Sequence, residues 1–243
     1  MREIRYRTIA DDLRQRVTAG EFAAGRLLPS ESELSESYAA SRITVRKALE
    51  LLRDEGLVDA RQGLGWFAAV DPLRQTLGRL GTIESQLAAS GMRSDRRILA
   101  FGFVPSPPRA REVLGATTVL EVRRLNLADG EPFARVTVWC PDDLGAHLSR
   151  ADVERAPFYE LLDVPLGGAV QTIGAALVTP DDARLLEVPP GSPVLRCERT
   201  TSTHDGRPVL LSEHVFPAHR TEFVVELPMS EPSIAPSGLR LVD

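Results

Sequence analysis

Lysine and cysteine are almost missing from this chain. Its 243 residues include a single lysine, Lys47, against 28 arginines, and only two cysteines, Cys140 and Cys197. The lysine scarcity reads as genome composition and carries no mechanism. The cysteines lie far apart in strand-like segments and fit no metal-ligand spacing. The expectation is therefore two buried free thiols, not a disulfide or a zinc site. No apolar run approaches the roughly 18 residues of a membrane span. The opening MREIRYRTIADDL is charged and lacks the apolar core of a signal peptide. The expected compartment is the cytoplasm, with no membrane partner. A strong charge bias is also missing. The net charge of −5 does not announce a nucleic-acid partner, so charge has to be read by segment. Residues 1–70 hold 11 basic and 11 acidic side chains, whereas residues 71–243 hold 18 and 23. The first segment is the less acidic, with its positive charge gathered in patches.

What is present is ordinary for a globular protein: 43% hydrophobic and 26% charged residues, in a length that allows two modest domains. In YRTIADDLRQRVTA, residues 6–19, Ile9, Leu13 and Val17 recur every four residues and form one apolar helical stripe. Gly20 is placed to stop that helix. Ser30 and Glu33 have the spacing of a capping box, which predicts a second helix from Ser30 to about Ala40. Ser41 is a good N-cap for a third helix ending near Gly56. Two short strands should follow, near LVDAR and GWFAAV, joined by Gln62-Gly63-Leu64-Gly65.

The third helix, SRITVRKALELLRDEG, divides into two faces. Val45, Leu49 and Leu52, with Ala48 beside them, should pack on the first two helices. Arg42 and Arg46 are four apart and share another face, flanked by Lys47, with Thr44 in the first turn. A short helix after a tight turn, carrying base-reading groups at its N-terminal end, is how a helix-turn-helix enters the major groove. Arginine bonds bidentately to guanine, and threonine reaches a phosphate or a thymine methyl. A basic helix face alone is usually just solvated. Three helices followed by a two-stranded wing within 70 residues change that balance.

These features closely resemble the DNA-binding domain of GntR-type bacterial transcription regulators. The matching segments are the Gly20–Gly25 turn, LPSESEL at 28–34, SRITVRKAL at 41–49, the L-x-x-x-G-L-V segment at 52–58 and the glycine wing. The resemblance implies DNA contacts from Arg42, Thr44 and Arg46, with Gly63 entering the minor groove; Ser41 and Lys47 on the same helix, and Arg61 beside Gly63, are expected to add to them. One position departs from the family pattern. Ser32 stands where an arginine is usual in the second helix, which implies an altered operator preference.

Residues 71–80 read as a linker, 81–230 as a second domain and 231–243 as a tail. Helices are expected at 82–90, 107–114, 142–148, 157–163 and 180–186. Strands are expected at 96–104, 119–127, 132–140, 169–178, 193–203, 208–216 and 222–227. The pairs 119–127/132–140 and 193–203/208–216 are joined by ADGEP and HDGRP, both with a hairpin Asp-Gly. They look like one design used twice. The fold class is therefore α+β: a winged helix-turn-helix followed by an antiparallel-sheet domain.

This second part resembles the UTRA effector-binding domain of HutC-like regulators, which has a chorismate-lyase-like fold. Its marks are Thr82-Ile83-Glu84, GMR at 91–93, RLNLADGEPF at 124–133, W-C-P at 139–141, PFYELL at 157–162 and RTTSTHDGRPV at 199–209. The resemblance implies a homodimeric repressor on a pseudo-palindromic DNA operator, released by a small-molecule effector. It places effector contacts at Thr82, Arg124, Asn126, Val136, Tyr159, Leu210 and Phe216. Thr82 would offer a hydroxyl and a helix N-terminus, and Arg124 would anchor an anion. Asn126 replaces a second arginine, Val136 a glutamate, Pro157 a serine, Leu210 a glutamate and Phe216 a tyrosine. One anion anchor without several sugar-binding groups points away from a sugar phosphate, toward a smaller anion or a more apolar carboxylate.

No catalytic set emerges. His147, His204, His214 and His219 show no partner spacing, and Pro217 keeps the last two off a common helix. Asp142-Asp143 and Asp181-Asp182 follow prolines and read as helix-start charges. No enzyme activity, cofactor or metal is expected.

Overall fold

The computed structural model describes residues 2–23, 25–69, 72–77, 84, 87, 88 and 91–227, with side chains from residue 5 onward. The N-terminal part contains α1 (Arg2–Thr18), α2 (Glu31–Ser37) and α3 (Arg42–Asp54), then β1 (Val58–Arg61) and β2 (Gly65–Ala68). The capping box forms as its spacing predicts. The Ser30 hydroxyl accepts from the Glu33 amide, and the Glu33 carboxylate accepts from the Ser30 amide at 2.7 Å. Ser41 caps α3 by accepting from the Thr44 amide. Ile9 and Leu13 of α1 meet Val45, Ala48, Leu49 and Leu52 of α3 in one core, closed by Val58 and Trp66. Burying a leucine or isoleucine side chain contributes about 1.5–3 kcal/mol, so this core fixes the pose of α3. The wing is an antiparallel pair turning at Gly63, which has φ +76°. A short antiparallel bridge joins Leu27 to Phe67 along the wing's other edge.

The second part is built on a six-stranded sheet: β4 (Ser94–Pro105), β5 (Thr118–Ala128), β6 (Glu131–Pro141), β7 (Leu166–Leu177), β8 (Pro193–Thr203) and β9 (Pro208–Pro217). Its order is β4-β5-β6-β9-β8-β7, with every pairing antiparallel. Both Asp-Gly links form hairpins, β5–β6 and β8–β9. Each half also begins with a strand and a short helix started by proline: β4 with α4 (Pro108–Leu114), and β7 with α8 (Pro180–Leu186). The repeat of the hairpins thus extends to a whole strand-helix-hairpin unit, and the two units meet where β6 pairs with β9.

One sheet face is covered by α5 (Asp142–Gly145), α6 (Arg150–Arg155), α7 (Phe158–Leu161) and the helical residues Leu87 and Ala88. Leu87, Leu148, Val153, Phe158 and Leu162 pack there on Leu120, Val122, Val138, Leu210 and Phe216. The other face packs on α8 through Leu125, Val215, Ala183 and Leu186. Across that face Arg135 is nearly buried and pairs with Asp182 at 2.8 Å and Glu213 at 2.7 Å. This triad ties β6, β9 and α8 together.

Several details differ from the sequence expectation. Residues within 71–80 form β3 (Leu73–Thr76), which pairs in parallel with β10 (Thr221–Val224). The strand expected at 222–227 is therefore shorter and lies outside the main sheet, joining the chain's way into the domain to its way out. The helix α6 and a 3-10 turn over Ala218–Arg220 carried no clear periodic signal. The tail at 231–243 and most of the helix expected at 82–90 lie outside the described residues. Cys140 and Cys197 are buried free thiols, and burial pushes both up to about 12.

Candidate DNA interface and effector pocket

Two concavities lie on either side of the N-terminal end of α3. One is lined by Tyr6, Ser41, Ile43, Thr44 and Lys47, and the other by Ser32, Arg42, Arg46, Arg61 and Gly63 between α2, α3 and the wing. The structure thus gathers the residues expected at DNA on one surface. Ser41, Arg42, Arg46, Lys47 and Gly63 are exposed, and so is Ile43, at 73%.

The two arginines at the front of α3 are held by α2 neighbours that the sequence did not pair with them. Arg46 donates from Nε and Nη2 to the two carboxylate oxygens of Glu31, at 2.9 and 2.6 Å. Glu31 also accepts from the Trp66 indole at 3.1 Å, which joins α2, α3 and the wing. The Arg46 hydrogen bond lowers the Glu31 carboxyl against the opposing effect of burial. Arg42 donates from Nη2 to the Ser32 hydroxyl at 2.9 Å. The serine in the departing position therefore has a partner on the recognition helix. Arg61 lies differently from a wing-tip charge, because its guanidinium rests 4.4 Å above the Phe67 ring, at the root of the wing.

That wing root meets the second domain. The Phe67 and His219 rings meet with centroids 5.6 Å apart, tilted by 53°. The Gly25 carbonyl accepts from Arg220 Nη2 and from His219 Nε2, each at 3.1 Å. A carbonyl only accepts, so the proton of His219 is on Nε2. Burial, helped by the charges of Arg61 and Arg220, pulls His219 down to about 4. Arg26 pairs with Glu131 at 2.6 Å and also with Glu187.

The second pocket opens on the helix-covered face of the sheet. Glu84, Arg124, Val138, Pro157, Phe158, Tyr159, Arg199, Thr201, Leu210, Ser212 and His214 surround a cavity of about 40 Å³. Three expected effector residues line it: Arg124, Tyr159 and Leu210. Asn126 stands one layer behind, fully buried, and donates to Glu84 Oε1 at 3.0 Å. Val136 and Phe216 belong to the hydrophobic core, not to the lining. Thr82 lies outside the described residues.

The sequence reading missed Glu84, Arg199, Ser212 and His214. Their signal was present in part. Leu210, Ser212, His214 and Phe216 alternate along β9, and period two puts them on one face. Ser212 bonds His214 at 3.0 Å, and Arg199 donates to Tyr159 at 3.0 Å and to Gln171 at 2.7 Å. Burial, reinforced by Arg199 and Arg124, pulls His214 down to about 3, so it is neutral near pH 7.

Charge dominates the pocket floor. Glu84 Oε1 accepts from Arg96 Nε at 2.7 Å, while Arg124 Nη2 stands 3.9 Å from the same oxygen. Burial pushes the Glu84 carboxyl up, but the Arg96 bond and the two arginine charges outweigh it and hold it at about 2. Burial brings Arg124 down to about 10, opposed by Glu84, so it stays charged at neutral pH. Arg124 Nε and Nη1 and Glu84 Oε2 are buried without a hydrogen-bond partner among the described residues. Each such group costs about 1–3 kcal/mol, and a buried polar atom left unpaired is uncommon in a folded core. Among the described residues no cluster of His, Cys, Asp and Glu fits a metal ion, and no helix is long and apolar enough to cross a membrane.

Comparison with known proteins agrees with both halves. Residues 5–68 match the model for bacterial regulatory proteins of the gntR family, and residues 89–222 match the UTRA domain. The chain is 34% identical over 243 residues to the HTH-type transcriptional regulator Rv0792c of Mycobacterium tuberculosis, covering 97% of this chain and 89% of that one. It is 27% identical over 226 residues to the HTH-type transcriptional repressor NagR of Bacillus subtilis, covering 90% and 93%. The fold is shared with PhnF from Mycobacterium smegmatis, with a TM-score of 0.61 at 24% identity over 91% of this chain and 99% of that one. The first two of these relatives are named as an HTH-type transcriptional regulator and an HTH-type transcriptional repressor. With a winged helix-turn-helix that presents arginines beside its wing and a UTRA domain behind it, this chain belongs to the GntR family of bacterial transcription regulators.

Proposed function

We propose that the protein is a cytoplasmic homodimeric repressor of the HutC-like branch, bound to a pseudo-palindromic operator and released by a small anionic effector. Arg42 and Arg46 face the major groove, with Ser41, Thr44 and Lys47 beside them, and Gly63 leads the wing into the minor groove. Arg124 anchors the effector. The observation that carries this reading is the continuity of β9. The strand lines the pocket with Leu210, Ser212 and His214, and it runs directly into His219 and Arg220, which hold the Gly25 carbonyl of the winged domain. A ligand that shifts β9 thus acts on the root of the wing. It moves the equilibrium only by its differential affinity for the two arrangements.

The dimer reading rests on β7. This 12-residue strand, LGGAVQTIGAAL, is a sheet edge without a charged residue, and Val170 and Leu177 are 73% and 72% exposed. Long uncharged edges pair with other chains unless covered, and a second copy covers this one. Two-fold symmetry then sets the half-site spacing.

The test is fluorescence anisotropy on DNA just upstream of the protein's own gene, repeated with pools of small anionic metabolites. Salt-dependent, sequence-selective binding that one pool releases supports the reading. A second reading, a regulator unresponsive to ligand, draws on the small cavity and its internal carboxylate. Selective binding that no pool changes favours that alternative.

A further inference from the structure

Ile43 is an apolar side chain at the front of a helix otherwise dressed with arginine, lysine and hydroxyl groups. It is the second residue of α3, directly after Arg42 and before Thr44. It is 73% exposed and part of no hydrophobic cluster among the described residues. Leu27, the other large apolar side chain standing exposed among the described residues of the winged domain, is at 44% and lies against Gly65 of the wing. A lone exposed isoleucine on an ordinary surface needs no explanation. This one shares its helix face with Arg46 and Lys47, three and four residues on. Its branch at Cβ holds the side chain in one main rotamer, so it points in a fixed direction.

The polar groups around Ile43 are turned to protein partners. Arg42 bonds Ser32 at 2.9 Å, and Arg46 bonds Glu31 at 2.9 and 2.6 Å. The Thr44 hydroxyl bonds that of Ser41 at 2.8 Å, and Thr44 is itself half-buried. The thymine methyl, one of the two contacts expected of Thr44, is therefore within easier reach of its neighbour. Further along the concavity that Ile43 lines, Glu50 and Asp54 join the wall. Their carboxylates repel phosphates, so DNA approaches the first turn of α3 and Lys47 but not the rest of that wall.

Base chemistry decides what an isoleucine can meet there. In the major groove the base edges present hydrogen-bond donors and acceptors, and the one apolar feature is the C5 methyl of thymine. An isoleucine pressed on a donor or acceptor would strip its water and give no bond in return. Pressed on the methyl, it buries apolar surface on both sides.

We propose that Ile43 is a specificity-determining residue, whose side chain packs on the C5 methyl of one thymine in each operator half-site. This rests on the front of α3 being the DNA-reading surface.

The experiment starts from duplexes that the full-length protein selects from a random pool, so it needs no known operator. Each thymine of the selected half-site is then replaced by uracil, which removes the C5 methyl and leaves every hydrogen-bonding group in place. Fluorescence anisotropy at matched salt should show one thymine per half-site where uracil weakens binding by about four-fold, the worth of burying one methyl-sized group. Ile43→Ala should lose a similar factor on the thymine duplex. In that variant thymine and uracil at this position should bind equally. The substitution removes no charge, so the salt dependence on non-specific DNA should stay as in the wild type.

If uracil costs nothing at any thymine, or if Ile43→Ala responds to uracil as the wild type does, the proposal is overturned. A changed salt slope in Ile43→Ala would mean that the arginines beside it had moved, and would overturn Ile43 as a direct contact. If the selection yields no preferred duplex, the operator-binding reading falls and the proposal with it.

Discussion

Glu31 gives the sharpest test of how the DNA-binding surface works. Its carboxylate holds Arg46 by two bonds, at 2.9 and 2.6 Å, and accepts from Trp66 of the wing. The Glu31 side chain is 20% exposed and the Arg46 side chain 61% exposed. As a fold-stabilising contact the pair is minor, because water screens it. Its larger effect is on DNA. Glu31→Gln keeps an oxygen for Trp66 but removes the charge that orders Arg46 and that opposes phosphates. Arg46 is then free to neutralise one phosphate. The slope of log K against log salt should steepen by about 0.9 on non-specific DNA. At the same time the operator should lose about five-fold of its advantage over non-specific DNA, because an unordered arginine reads a base less well. Arg46→Ala alone should cost about ten- to a hundred-fold at the operator, the discrimination of one bidentate base contact. That variant also strands Glu31 beside the DNA, so the double variant Glu31→Gln/Arg46→Ala is needed to separate the two effects. Anisotropy titrations at matched salt decide the matter. Additive single-variant losses would refute the orienting role of Glu31, and an unchanged operator preference in Arg46→Ala would refute the role of Arg46.

Other expectations follow from the second domain. His214 and His219 are depressed to about 3 and about 4, against an unfolded value near 6.5. Their stabilising contribution is complete above pH 6.5 and is lost as pH falls toward the folded values. Thermal or urea unfolding should show about 2 kcal/mol lost per histidine between pH 6.5 and 5, and His214→Gln should flatten that limb; an unchanged slope would count against a buried neutral His214. Asp182→Ala leaves Arg135 nearly buried with Glu213 as its remaining carboxylate partner, and should cost about 3 kcal/mol in urea unfolding; a loss below about 0.5 kcal/mol would mean that the triad does not hold α8 to the sheet. Val170→Lys places a charge on the exposed edge strand β7. It should convert a dimer to a monomer in analytical ultracentrifugation and weaken operator binding with it, whereas a dimer that persists would put the interface elsewhere.

Local chemistry made the winged domain legible. Ser30 with Glu33, Ser41 with Thr44, and the four-residue spacing of Ile9, Leu13, Val45 and Leu49 act over a few residues. Their consequences could be read before any fold was known. The same holds for the two Asp-Gly hairpins and for the proline-started helices α4 and α8. Short-range signals of this kind also placed Arg42, Thr44, Arg46 and Lys47 at the front of one helix.

The pocket was less legible, because its parts come from distant strands. Arg124 on β5, Tyr159 on α7, Arg199 on β8 and His214 on β9 are adjacent only once the sheet takes its 4-5-6-9-8-7 order. Leu210 and Phe216 share one face of β9, so position along the strand decides that Leu210 lines the pocket while Phe216 packs beyond it in the core. Nor does sequence spacing reveal that Glu84 lies beside Arg124 and Arg96, that Ser32 receives Arg42, or that Arg61 turns onto Phe67. The capped helices, the hairpins and the basic front of α3 were set by the sequence alone, since each depends on bonds between near neighbours, and motif resemblance supplied the two domain types. Tertiary structure alone decided the partners of the charged side chains and the join between β9 and the wing, since burial and long-range packing choose which opposite charges meet.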